Sequence, residues 1–107
     1  MADYKIDWAN TALETLKNVD RYAIGQIVDD FTSKVSGKPE KKLDDKLGDK
    51  EIFANTVVDN SYRIFFTKDD TAHQVTVLTV LRSDPKNRDY AEFKKFDMPV
   101  LRSRLMR

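Results

Sequence analysis

The sequence predicts an α+β domain: one antiparallel sheet carrying a pair of N-terminal helices, with elements in the order β-α-α-β-β-β-α. Three observations predict it. Residues 4–8 alternate apolar and charged side chains, as a half-buried strand does. Residues 24–35 repeat apolar side chains at helical spacing. Residues 51–82 hold three runs rich in β-branched and aromatic residues, separated by short polar turns. The 107 residues make one domain, 1–107, because a second core would not fit in that length.

In the first strand Tyr4, Ile6 and Trp8 alternate with Lys5 and Asp7. Thr11-Ala-Leu-Glu14 reads as a capping box opening a short amphipathic helix with Leu13 and Leu16 inward. Asp20 can cap a second helix, in which Ile24, Ile27, Val28, Phe31 and Val35 share a face, and Gly37 and Pro39 end it. The pair is expected to form a short antiparallel hairpin. Gly25 costs that helix about 1 kcal/mol relative to alanine, which suggests that it admits a close neighbour. Residues 38–50, with five lysines against four acids, read as a solvated loop.

Three strands come next. Glu51–Val58 puts Phe53 and Val57 on one parity and Ile52 and Val58 on the other, and Asp59-Asn60 makes a tight turn. Ser61–Lys68 sets Tyr62, Ile64 and Phe66 against Arg63 and Phe65. Asp69-Asp70 turns again into Thr71–Arg82, with Val75, Val77 and Thr79 opposite Thr76, Leu78 and Val80. A last helix runs from about Lys86 to Phe96, with Tyr90, Phe93 and Phe96 inward. Met98-Pro99 closes it and leaves residues 98–107 as a basic tail. The sheet face away from the helix hairpin must be covered by something else or left open.

Composition narrows the function. With 40% hydrophobic and 35% charged residues the chain is a soluble folded protein rather than a disordered one. It has no cysteine, which excludes a disulfide framework and a thiolate metal site and favours a reducing compartment. The opening residues contain no apolar run of signal-peptide length, and no stretch is apolar enough to span a membrane. A cytoplasmic protein is expected. The net charge is +1, but residues 80–107 carry eight basic side chains against four acids, +4, which leaves −3 for the rest. Such asymmetry suits a polyanion at one end of the molecule, or simply a solvated helix and tail.

The chemistry concentrates in Ser61–Thr67, Arg82, Arg88 and Tyr90. A guanidinium on a strand interior is costly unless its face meets water or a partner. Arg63, with a second arginine and a tyrosine from the following elements, suggests a phosphate site.

These residues resemble the RelE/ParE toxin superfamily of type II toxin–antitoxin systems. The resemblance covers most of the chain: the YKIDW strand, ALETL in the first helix, KKLDDKLGDKEIFA, the YRIFF and VTVLTVLR strands, and RDY. It implies a compact RelE-like sheet with a concave open face, neutralised by a cognate antitoxin. In the RelE-like branch it implies an mRNA endoribonuclease, an mRNA interferase acting at the ribosome, in which a ribose 2′-hydroxyl attacks the adjacent phosphate. No cofactor, metal or membrane is called for. Carried onto this chain, Arg63, Arg82 and Tyr90 are the expected catalytic set, Arg63 stabilising the phosphate. Arg88, Lys86, Lys94 and Lys95 are expected to assist substrate binding.

The chain departs from that pattern in one place. RelE-like nucleases carry lysines on the strand before the Tyr-Arg strand, and here that strand offers Ala54, Asn55 and Thr56. Lys50, Glu51 and Asp59 could substitute only from strand ends. His73 is the one histidine and could transfer protons, or be an idle turn residue. Arg63 could instead make a plain cross-strand ion pair, and Tyr90 could equally pack a helix on the sheet. A ParE-like gyrase inhibitor, or a non-catalytic relative that binds only an antitoxin, is the alternative.

Overall fold

The computed structural model describes residues 4–105. The strands are β1 (Lys5–Trp8), β2 (Lys41–Leu47), β3 (Lys50–Val57), β4 (Tyr62–Asp69) and β5 (Gln74–Arg82); the helices are α1 (Asn10–Leu16), α2 (Arg21–Lys34), α3 (Arg88–Glu92) and α4 (Met98–Leu105). They form one five-stranded sheet in the order β1-β5-β4-β3-β2. The α+β class holds, with three departures from the expected order.

First, residues 41–47 form an edge strand rather than a loop. It is joined to β3 by Gly48-Asp49, with Gly48 in the left-handed region at φ 67°. Leu43 and Leu47 point inward and are buried, while the lysines between and around them face water. Second, the sheet is mixed, because β1 runs parallel to β5 in the register Lys5↔Gln74 to Trp8↔Val77. Third, Met98-Pro99 does not end the last helix. A π-helical turn, Phe93–Asp97, joins α3 to α4, and the helical path continues to Leu105. Proline is tolerated there because it sits in the first turn of α4. Arg107, counted in the expected basic tail, lies outside the described residues.

Each face of the sheet has its own core. On one face Ala12 and Leu16 of α1 and Ile27, Phe31 and Val35 of α2 pack on Val57, Ile64, Phe66, Val75, Val77 and Val80. The other face is not open: Phe93, Met98 and Leu101 cover Leu43, Leu47, Ile52, Ala54, Phe65 and Leu78. Phe93 stacks on Phe65 at 4.2 Å between centroids. Phe96, expected inward, is 59% exposed. The π turn explains this: the buried positions step from Phe93 to Met98, five residues on, and Phe96 faces water.

Asp20 caps α2 as expected, accepting a hydrogen bond from the Tyr22 N–H. Thr11 does not cap α1, which starts at Asn10 with no side-chain cap. Its hydroxyl donates instead to the Leu78 carbonyl, and the Val80 N–H donates to Thr15 Oγ1 at 3.2 Å. Two threonines one helical turn apart thus satisfy the part of β5 that the short β1 does not reach, and α1 docks on β5 rather than chiefly on α2. Gly25 is exposed, and an added Cβ would meet nothing within 4 Å, so it makes no close approach to another helix. Asp59 and Asn60 form the expected tight turn, both at positive φ, with the Ser61 N–H donating to the Val58 carbonyl. No helix among the described residues is long and apolar enough to cross a membrane.

Candidate functional site

A bulge in β5 decides which arginines meet. Phe66 pairs with Val77 and Phe65 with Thr79, so Leu78 is an extra residue on β5. Before the bulge, Val75 and Val77 face α1 and α2; after it, Val80 does. The extra residue reverses the alternation, so Leu81 comes opposite Arg63 and Arg82 opposite Tyr62. Directly paired residues share a face. Arg63 therefore lies on the face under the C-terminal helix, with Phe65, and Arg82 lies on the face of Tyr62 and the helix pair. The expected convergence of Arg63 and Arg82 does not occur.

Arg82 is exposed and its guanidinium lies 5.9 Å from the Tyr62 ring centroid. It lines a cleft of about 480 Å³ with Thr15, Asn18, Asp20 and Glu92. Arg63, by contrast, is enclosed. Its Nε is 2.8 Å from Asp89 Oδ2, and the two side chains are 14% and 1% exposed. Its guanidinium carbon sits 4.4 Å from the centroid of the Tyr90 ring. Arg63 and Tyr90 thus come together as expected, and Asp89 joins them. The Arg63 alternative of an ion pair is met too, with the acid coming from the helix rather than a neighbouring strand.

A cation that sequence reasoning missed completes the cluster. Lys41 pairs with Ala54 in the β2–β3 register, which puts it on the Arg63 face, and its Nζ is 4.5 Å from the Tyr90 centroid. Beside it a small hollow of about 140 Å³ is lined by Lys41, Lys42, Leu43, Asp44, Asn87, Tyr90 and Lys94. The strand that precedes the Tyr-Arg strand carries no lysine near Arg63, its Lys50 lying at the far end, but the next strand out supplies one. The signal was Gly48-Asp49 with Leu43 and Leu47 before it at strand parity, which marks a hairpin.

Burial raises the pKa of Tyr90, with the Arg63 guanidinium pulling the other way, so the phenol stays protonated at neutral pH. The other expected residues divide. Lys94 reaches the hollow but is 3.6 Å from Asp45. Arg88 Nε lies 2.6 Å from Asp84 Oδ2, outside the cluster. Lys95 lies over the exposed Phe96 ring on the outer surface of the helix, and Lys86 is exposed in the loop before α3. His73 lies beyond the far end of β4, roughly 20 Å of strand from Arg63. Lys50 and Glu51 line a separate hollow of about 320 Å³ with Thr67, Asp69 and Gln74, towards that same end. Among the described residues no group of histidines and acids is arranged to hold a metal ion.

One mixed five-stranded sheet with helices on both faces makes up a RelE-like toxin fold. Solved RelE toxins share it. The RelBE2 toxin–antitoxin complex of Mycobacterium tuberculosis aligns with a TM-score of 0.53 at 20% identity, over 76% of this chain and 99% of that one. The isolated E. coli RelE toxin aligns at 0.55 and 17%, over 86% and 97%. The archaeal RelE–RelB complex of Pyrococcus horikoshii aligns at 0.55 and 11%, over 76% and 96%. At these identities the likeness is one of fold. No protein-family model matches the chain, and no curated protein matches it.

Proposed function

We propose that this chain is the toxin of a type II toxin–antitoxin module, a RelE-like endoribonuclease that cuts mRNA at the ribosome. The observation that carries the reading is the approach of Lys41 and Arg63 to one phenol, Tyr90, at 4.5 and 4.4 Å. In the reaction a ribose 2′-oxygen bonds to the adjacent phosphorus, the bond to the 5′-oxygen breaks, the 2′ proton leaves and the 5′-oxygen gains one. Negative charge builds on the phosphoryl oxygens, and two cations from different strands oppose it. The guanidinium offers a planar fork of donors and the lysine a point charge. Tyr90, held as a neutral phenol, offers a donor or a surface on which a base can stack. The complexes among the fold neighbours support a protein antitoxin as partner.

Induced expression tests the reading. Growth arrest with transcripts cut within codons, mapped by primer extension, supports it. Lys41→Ala and Arg63→Ala should each lower cleavage about 100-fold or more, and Arg82→Ala, on the other face, should leave it unchanged. Arrest with intact transcripts and DNA damage would replace this reading with a ParE-like gyrase inhibitor. No arrest at all would leave a non-catalytic antitoxin-binding relative, the reading favoured by Arg82 facing away and Arg63 being already paired.

A further inference from the structure

The helix that covers the cationic face brings its own anion to it. Asp89 sits in the first turn of α3 with its side chain only 1% exposed, 2.8 Å from Arg63 Nε. Neither Asp89 oxygen nor Arg63 Nε makes an aimed hydrogen bond among the described residues, so the two groups touch without the N–H pointing at the carboxylate. A buried carboxylate ordinarily accepts well-directed hydrogen bonds. Charge and the docking of the helix therefore hold this pair, rather than a geometry made for it. The other cations of the patch are held differently. Lys94 is 3.6 Å from Asp45, with both side chains more than 40% exposed, while Lys42 pairs with Phe53 and so belongs to the opposite face. A surface pair such as Lys94 with Asp45 exchanges readily for another anion. Lys41 has no carboxylate partner among the described residues. Within the patch, only Arg63 is held by a buried acid.

We infer that Asp89 occupies the place of a phosphate group on Arg63, making the first turn of α3 a self-inhibiting contact that must yield before a phosphodiester can be gripped. The inference rests on the reading of Lys41, Arg63 and Tyr90 as a phosphate site. A carboxylate and a phosphate seek the same donors, and two anions crowded at the Nε edge of one enclosed guanidinium repel each other. Asp89 is buried under the helix, so it yields Arg63 only if the backbone of that turn moves. The segment before the turn is short; its Ser83 N–H donates to the Ser61 carbonyl and its Asn87 N–H to the Asp84 carbonyl, so beyond Ser83 its bonds are local. Residues 83–87 link β5 to α3, Asn87 stands in the left-handed region at φ 60°, and Asp84 accepts from the Lys86 N–H and from Arg88 Nε at the surface. The helix beyond the turn is firmly docked through Phe93, Met98 and Leu101. The first turn can therefore loosen while the rest of the helix stays on the sheet.

The test tracks the ¹⁵N–¹H signal of Arg63 Nε by NMR while inorganic phosphate is titrated into the whole chain. In the native protein the signal should stay fixed over a range that shifts it fully in Asp89→Asn, a gain in phosphate affinity of at least tenfold. Glu92→Gln makes the same charge change at an exposed site and should leave the signal fixed. If the native signal responds as readily as that of Asp89→Asn, or Glu92→Gln equals it, the inference fails. Should Asp89→Asn not fold, Asn87→Gly loosens the residue that opens the same turn without altering charge and should raise phosphate affinity several-fold; an unmoved Arg63 signal in that variant overturns the contact. RNA cleavage separates this from the parent reading. Phosphate reaching Arg63 in Asp89→Asn while no variant cuts RNA would refute only the ribonuclease. A cutting native protein slowed by Asp89→Asn would refute only the self-inhibition.

Discussion

Asp97 offers a test of the π turn that uses stability alone. Desolvation, and secondarily the charge of Glu92, raise its pKa from the ordinary 3.8 to about 6. In a π turn residues five apart stack in line, which is the spacing from Glu92 to Asp97. The folded state thus holds its proton more tightly than the unfolded chain, so protonation at Asp97 favours folding. That contribution is complete below pH 3.8 and is lost as pH rises through about 6. A shift of this size would be worth about 3 kcal/mol for a fully shielded group. Asp97 is half-exposed, so solvent screening reduces this to about 1–2 kcal/mol. Asp97→Asn removes the charge and should stabilise the protein by that amount at pH 7.5, which for a domain of this size is a rise in Tm of roughly 5–10 °C. At pH 3.5 the two proteins should melt together, apart from any common offset. Thermal unfolding by circular dichroism at both pH values reads the difference. Equal effects at the two pH values, or a destabilised variant at pH 7.5, would show that Asp97 is not strained by its charge and that the π turn imposes no such cost.

Packing and charge yield two more tests. Asp89→Leu or Arg63→Met alone should each cost about 3 kcal/mol in urea unfolding, because each strands a buried charge, whereas the double variant should lie near the native protein; additive losses would mean that the pair does not interact. Gly25→Ala should gain about 0.5–1 kcal/mol, since the position is an exposed helix interior with open space around the new Cβ, and a loss would show that the glycine serves a contact.

The parts of the fold set by local periodicity could be read from the sequence, and those set by pairing could not. Ile27, Phe31 and Val35 lie on one buried helical face as their spacing requires, and Tyr62, Ile64 and Phe66 share the hydrophobic side of β4. The edge strand β2 was obscured because its outward positions hold the lysines and acids that make a stretch look like a loop. Charged edges are also how sheets avoid pairing with other chains, so the same residues carry both meanings. The parallel pairing of β1 could not be seen, since it depends on a partner nearly seventy residues away. Burial of the C-terminal helix was hidden by Pro99 and the surrounding basic residues, although Met98 and Leu101 supply its apolar side. Of the expected site, Arg63 and Tyr90 meet, and Lys41 entered only with β2. Asp89 was overlooked because an acid in the first turn of a helix is commonplace.

The bulge in β5 connects core and site. With unbroken alternation after Val77, Leu81 would face α1 and α2, and Arg82 would be driven under the C-terminal helix beside Arg63. Two guanidinium groups would then share an enclosed face against the single buried acid Asp89, and one would be unpaired where water is scarce. The extra residue avoids this. It seats Leu81 against the apolar cluster of Phe65 and Phe93 and turns Arg82 out to an exposed cleft. The packing that lets the C-terminal helix close over the sheet is thus the packing that leaves Arg63 as its one buried guanidinium. A single carboxylate on the helix is then enough to neutralise it. The cationic chemistry left on that face belongs to Arg63 and to Lys41 at the edge, and access to the first is governed by the turn that carries Asp89.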